Sequence, residues 1–146
     1  MTPFKIKKSI EINANKQKVW DGLTNPEIIK QYMFGTETIC DWKEGSEIIF
    51  QGSYEGTSYK DRGNIQKIIK EKFLQYNYFS SFSGLEDKPE YYHLITYELQ
   101  EKNDKTVLIL KQENIQSKEA QDHADKNWDF VLFTIKDKRD IGIILN

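Results

Sequence analysis

Two hydrophobic periods meet in this chain, and the point where one replaces the other constrains the fold more than any other feature. From Glu37 to Asn114 the sequence reads as short strands broken by turn residues. After Ser117 the period lengthens. Ala120, Ala124, Trp128, Val131, Leu132 and Ile135 recur at intervals of three and four, and Phe130 and Phe133 widen that stripe. A helix of more than five turns, with Ser117 as cap and Glu119 in its first turn, needs an apolar surface to lie on. Consecutive strands with short links pair antiparallel and can supply it. The expected class is therefore α+β, one antiparallel sheet set against one long C-terminal helix. Each large side chain buried between them contributes roughly 1.5–3 kcal/mol before ordering entropy is subtracted. The helix is expected to end at Gly142 at the latest. Beyond it, Ile143, Ile144 and Leu145 form an apolar tail that docks on the sheet, seals a cavity, joins a dimer or frays.

The elements ahead of that helix are locally marked. Phe4, Ile6, Ile10 and Ile12 fall on even positions and describe a half-buried first strand. Asn15 offers a cap for a helix over Lys16–Leu23, with Val19, Trp20 and Leu23 on one face. Asn25-Pro26-Glu27 starts a second helix, carrying Ile28, Ile29, Tyr32 and Met33. Glu47–Tyr54 and Thr57–Ile69 flank Glu55-Gly56, a tight hairpin turn. A strand over Lys72–Ser81 places Leu74, Tyr76 and Tyr78 on one side. After a loop from Ser83 to Pro89, strands over Tyr91–Gln100 and Thr106–Ile115 are joined by the five polar residues Glu101–Lys105. No repeat or linker divides residues 1–146, so one domain is expected.

Composition removes whole classes of function. Aromatics at 13% and few Gly and Pro exclude a disordered or collagen-like chain. No apolar run approaches the roughly 20 residues of a membrane span. Met1–Ile10 is Lys-rich and alternating, unlike a secretory signal, so the cytoplasm is the expected compartment. A net charge of −2, with Arg62 and Arg139 the sole arginines, argues against nucleic acid as partner.

Catalytic and metal motifs are equally sparse. Cys40 stands alone and reads as structural filler. His93, His123 and Cys40 have no metal-ligand spacing, and there is no glycine-rich phosphate loop, so neither metal nor cofactor is expected. Glu98 and Glu113 could approach each other on neighbouring strands. Glu98, however, has parity opposite to Ile95, Tyr97 and Leu99, which puts it on the outer face in a surface ion pair.

The aromatic side chains are the most informative group. Tyr32, Phe34, Tyr54, Tyr76, Tyr78, Tyr97, Trp128 and Phe130 lie on elements that converge between sheet and helix. Two arrangements satisfy them. Tyrosine tips pointing inward line an apolar pocket with a few polar anchors. Alternatively, the rings make a solid core and their hydroxyls reach backbone or solvent at the rim.

Several segments in order carry a resemblance. Ile12-Asn13-Ala14 leads to the stretch Val19-Trp20-Asp21-Gly22-Leu23-Thr24-Asn25-Pro26-Glu27. Gly63-Asn64-Ile65-Gln66 leads to Leu74-Gln75-Tyr76-Asn77-Tyr78. Ile95-Thr96-Tyr97-Glu98-Leu99 precedes Thr106-Val107-Leu108-Ile109-Leu110, and Trp128 with Leu132 follows on the long helix. Over Phe4–Lys138 this resembles the helix-grip fold of the START and birch-pollen-allergen (SRPBCC) superfamily, in its branch named for the activator of heat shock protein 90 ATPase. Two departures stand out. Ile69-Lys70-Glu71 replaces a turn often rich in proline, and Tyr32 and Tyr78 stand where the family often has tryptophan.

The resemblance implies a curved sheet wrapped on the C-terminal helix, often with a hollow between them. That hollow would hold a small hydrophobic or aromatic ligand, lined by Tyr32, Phe34, Tyr54, Tyr76, Tyr78, Tyr97, Trp128 and Leu132. It also implies, as alternatives, a chaperone of the heat shock protein 90 type as partner or a cavity-based enzyme. Monomer and homodimer both remain open.

Overall fold

In the computed structural model, which describes residues 1–141 and side chains as far as Asp137, a seven-stranded antiparallel sheet curves around the helices. The expected stop at Gly142 and the tail Ile143–Leu145 lie outside these residues. The order along the chain is β1 (Phe4–Ile12), α1 (Lys16–Thr24), α2 (Pro26–Tyr32), β2 (Glu37–Cys40), β3 (Glu47–Tyr54), β4 (Thr57–Ile69), β5 (Phe73–Tyr78), β6 (His93–Lys102), β7 (Lys105–Ile115) and α3 (Lys118–Ile141). In the sheet the order is β1-β7-β6-β5-β4-β3-β2, so the first strand closes against the last. Register shifts in β1 between Phe4 and Ile6 and in β4 between Ile65 and Lys67 add to the curvature. This is the expected helix-grip architecture.

The local signals act as their chemistry dictates. The Lys18 and Glu27 amides donate to Asn15 Oδ1 at 2.9 Å and Asn25 Oδ1 at 3.0 Å, capping α1 and α2. The Ala120 amide donates to Ser117 Oγ at 3.1 Å and starts α3. Glu55 and Gly56 both have positive φ, at 50° and 81°, as a tight hairpin turn between twisted strands requires.

The sequence reading assigned no strand over Glu37–Cys40, which forms β2, and several boundaries shift, three of them for a visible reason. The Glu101–Lys105 connection shrinks to Asn103-Asp104, because Lys102 pairs with Lys105 and Asn103 takes the left-handed conformation at φ 59°. Strand β5 ends at Tyr78 because the Ser81 amide and hydroxyl turn to the Asp61 carboxylate instead. Strand β6 begins at His93, since Pro89–Tyr91 forms one turn of 3-10 helix.

Helix α3 lies along β1 and touches β7, while α2 packs on β2. Its buried arc is Trp128, Val131, Leu132 and Ile135. Phe130 and Phe133 do not widen that arc; they stand 56% and 65% exposed. The reason is geometric: the 128/131/132/135 stripe already spans the contact with the sheet, and residues 130 and 133 fall on the far side of the helix.

Candidate functional site

The concave face carries a continuous line of rings. Phe50 of β3 meets Tyr76 of β5 at 5.8 Å, Tyr76 meets Tyr97 of β6 at 6.5 Å, and Tyr97 meets Trp128 of α3 edge-on at 6.1 Å. Strand parity places each ring inward, as Leu74, Tyr76, Ile95 and Tyr97 alternate with half-buried or polar neighbours. A small cavity lies over these rings, with Leu23, Ile29 and Met33 from the helices above and Ile48, Phe50, Tyr76 and Tyr97 below. Its free volume is about 10 Å³, room for roughly one water molecule.

Two of the tyrosine tips are engaged. Tyr32 donates to the Gly22 carbonyl at 2.7 Å. Tyr76 and Tyr97 lie ring to ring, and burial raises the pKa of both phenols above the usual tyrosine range. Tyr78 donates to Asp61 Oδ2 at 2.5 Å, and burial together with that carboxylate pushes its phenol up as well. Of these hydroxyls, Tyr32 thus reaches backbone and Tyr78 a carboxylate, as rings packed in the core require.

The expected lining divides into three groups. Tyr32, Tyr76 and Tyr97 border the cavity. Tyr78, Trp128 and Leu132 are packed with the core but lie outside that lining, because α1 and α2, rather than α3, cover the cavity. Tyr54 and Phe34 are each 63% exposed. Tyr54 has the inward parity of Ile48 and Phe50, but it sits at the β3–β4 tip, where no helix covers the sheet. Phe34 follows α2 in the left-handed conformation (φ 57°) and stacks on Phe130 at 5.6 Å with 14° between ring planes. Phe133 stands one turn further along α3, so the three rings form an aromatic patch on the outside.

Sequence reasoning passed over three polar residues on the concave face. Gln112 shares parity with Leu108 and Leu110 and is buried. It accepts from Trp128 Nε1 at 2.6 Å and bonds His93 Nδ1 at 2.7 Å. Burial lowers the pKa of His93. Asp61, buried with Ile65 and Gly63 on β4, receives Tyr78 and both donors of Ser81. Thr38 of β2 is 3% exposed, and its hydroxyl has no hydrogen-bond partner. The readable signal in each case was a polar residue at an inward parity position.

The remaining candidates keep their structural reading. The half-buried Cys40 thiol accepts from the Trp42 amide at 3.2 Å, and burial pushes its pKa up, away from thiolate chemistry. Glu98 lies opposite Ile109 and pairs with Lys111 at 3.7 Å, while Glu113 lies opposite Leu94, so the two carboxylates do not meet. Among the described residues no cluster of His, Cys, Asp and Glu could hold a metal ion, and no helix is long and apolar enough to cross a membrane.

With this geometry the chain can be compared with known proteins. The model of the family described as activator of Hsp90 ATPase homolog 1-like protein matches residues 13–137, from just after β1 into α3. The chain belongs to this family. Among solved structures, the Cytophaga hutchinsonii protein ChR145 is 39% identical, with 93% of each chain covered and a TM-score of 0.81. Two more distant members of the fold carry the family's name or activity. The Aha1 dimer of Colwellia psychrerythraea is 19% identical, covers 98% of this chain and 99% of its own, and has a TM-score of 0.76. An Hsp90 activator of Plasmodium falciparum is 15% identical over 86% and 87%, with a TM-score of 0.67. No curated protein matches the chain.

Proposed function

We propose that this chain is a docking domain that engages an Hsp90-type chaperone ATPase through Phe34, Phe130 and Phe133. The observation that carries the reading is a contrast between inside and outside. The cavity beneath α1 and α2 has room for about one water, whereas ligand pockets run to roughly 300–1,000 Å³. Outside, two of three clustered phenylalanines stack face to face in water. Aromatic clusters exposed in this way are typical of the buried centre of protein interfaces. Family membership supports the choice of partner.

The test uses the full chain and the purified chaperone of the same organism, comparing the wild type with a Phe130→Ser/Phe133→Ser variant. The wild type is expected to bind and to change ATP turnover. The variant should bind at least about tenfold more weakly, as loss of an aromatic hot spot implies, with its unfolding midpoint little changed. Phe82→Ser, at another exposed ring, should bind like the wild type. Failure of the wild type to bind would overturn the reading. Dimer dissociation in the same variant, seen by sedimentation, would assign the patch to a second copy of the chain.

One observation favours a second reading, a small apolar ligand with a polar group admitted beneath α2. The unpartnered Thr38 hydroxyl lies in register with Phe50 on the cavity floor, and a ligand atom could satisfy it. Native mass spectrometry of the protein as purified tests this. A mass excess lost on denaturation supports it, and a clean mass leaves docking as the better account. Neither reading uses catalysis: His93 and Asp61 on the concave face are each held in structural hydrogen bonds.

A further inference from the structure

The polar chain from His93 to Trp128 has one proton arrangement that satisfies every atom. An indole N–H is only a donor, so Gln112 Oε1 accepts from Trp128 Nε1 at 2.6 Å. That orients the amide: its nitrogen faces His93 and donates to Nδ1 at 2.7 Å. Nδ1 therefore carries a lone pair, and the imidazole is neutral with its proton on Nε2. Adding a proton to Nδ1 sets N–H against N–H. Rotating the Gln112 amide relieves that clash only by turning its NH2 toward the indole N–H. Whichever way Gln112 points, one donor then faces another.

Among the described residues, the surroundings of His93 offer no compensating charge. Its cross-strand partner on β5 is Tyr78, whose hydroxyl is held by Asp61 of β4. On β7, Asn114 is neutral and bonds the Glu90 and Tyr92 carbonyls, while Glu113 has the outward parity. On α3, Asp125 and Asp129 are drawn to Lys8 on β1, and His123 is exposed. In the preceding loop Asp87 is paired with Arg62 at 2.7 Å. Burial is the cause of the lowered His93 pKa, with no charge partner contributing.

The anchors of α3 give this arrangement a mechanical consequence. Along β1 the helix is tied at three heights: Gln121 to the Lys5 carbonyl at 2.9 Å, Asp125 and Asp129 to Lys8, and Lys136 to the Glu11 carbonyl at 2.8 Å. Against β7 it is held by the Trp128–Gln112 bond. We propose that His93, Gln112 and Trp128 form an acid-released latch, in which protonation of His93 frees Trp128 from β7 and lets α3 lift about its β1 anchors. Because the Trp128 ring packs on Tyr97, which lines the cavity, release also loosens the cavity wall. The latch depends on neither proposed function.

Nitrogen-15 NMR of the full chain, titrated from pH 8 to 4.5, tests the latch, with the Trp128 indole assigned by a Trp128→Phe variant. At pH 7.5 His93 should carry its proton on Nε2. On acidification the Trp128 indole resonance should move with the His93 ring in one transition, and indole hydrogen exchange, corrected for the intrinsic effect of pH, should quicken about tenfold, as expected when one buried hydrogen bond is released. In His93→Gln, which can accept from Gln112 but cannot titrate, the Trp128 resonance should stay still. A proton on Nδ1 at pH 7.5 would overturn the proposal. So would a Trp128 resonance that stays still while His93 titrates, or one that moves equally in His93→Gln. If His93→Gln does not fold, the wild-type tautomer and the shared transition decide the matter.

Discussion

Gly63 is where β4 and β5 approach each other too closely for any side chain. A Cβ there would lie 1.7 Å from the Asn77 carbonyl oxygen and 2.6 Å from its carbon, against a working limit of 3.0 Å. The obstacle is backbone, so Gly63→Ala must part the two strands by more than about 1 Å, the kind of overpacking a folded core resists. Three hydrogen bonds flank the point. Arg62 and Phe79 exchange amide and carbonyl at 3.1 and 2.8 Å, and the Asn64 amide donates to Asn77 Oδ1 at 2.6 Å. At about 1 kcal/mol net for each, the expected loss is about 3 kcal/mol. For a chain of 146 residues that lowers the Tm by about 6–12 °C. Gly56→Ala is the comparison. Nothing lies within 4 Å of its Cβ, but φ is +81°, so it carries only the left-handed penalty of about 1–2 kcal/mol. Urea and thermal unfolding followed by tryptophan fluorescence measure both. The reasoning fails if Gly63→Ala lies within about 0.5 kcal/mol of wild type, inside the range of an ordinary surface substitution, or costs less than Gly56→Ala.

Thr38→Val keeps the shape of the side chain and removes its unpartnered hydroxyl, so it should stabilise the protein by about 1 kcal/mol; a loss in the urea midpoint would mean that the hydroxyl has a partner. Gln112→Leu strands the Trp128 indole N–H and should cost about 1–3 kcal/mol, and an unchanged midpoint would remove that bond from the account. Burial lowers the pKa of His93 in the folded state, so the fold binds fewer protons there than the unfolded chain. Its contribution to stability is full above the unfolded value of about 6.5 and is lost as pH falls from there toward the folded pKa. The loss of stability across that range in wild type should therefore shrink in His93→Gln, and equal losses would assign it to other groups.

Features that depend on neighbours along the chain are legible from the residues alone. Asn15, Asn25-Pro26 and Ser117 start helices because their donors and acceptors lie within three residues. Glu55-Gly56 turns a hairpin for a similarly local reason, and the parity of Glu98 places it on the outer face, where it pairs with Lys111. Polar residues at inward positions are legible too, yet only their partners give them meaning. Gln112 and Asp61 read as interruptions of an apolar face, and their role comes from Trp128, His93, Tyr78 and Ser81, which converge on them from elsewhere in the chain.

The sequence by itself determined most elements, their order and the face of strand residues such as Tyr76, Tyr97 and Glu98, because helix and strand periods are properties of the local backbone. Only the tertiary structure decided which inward faces are covered. It paired β1 with β7, joining Ile12 to Thr106 across most of the chain. It laid α1 and α2 over the tyrosines and left Tyr54 bare at a hairpin tip of the same parity. It also limited the buried arc of α3, so that Phe130 and Phe133 face water beside Phe34. Period sets the direction of a side chain, but burial requires a second surface, and that surface comes from residues far away in sequence.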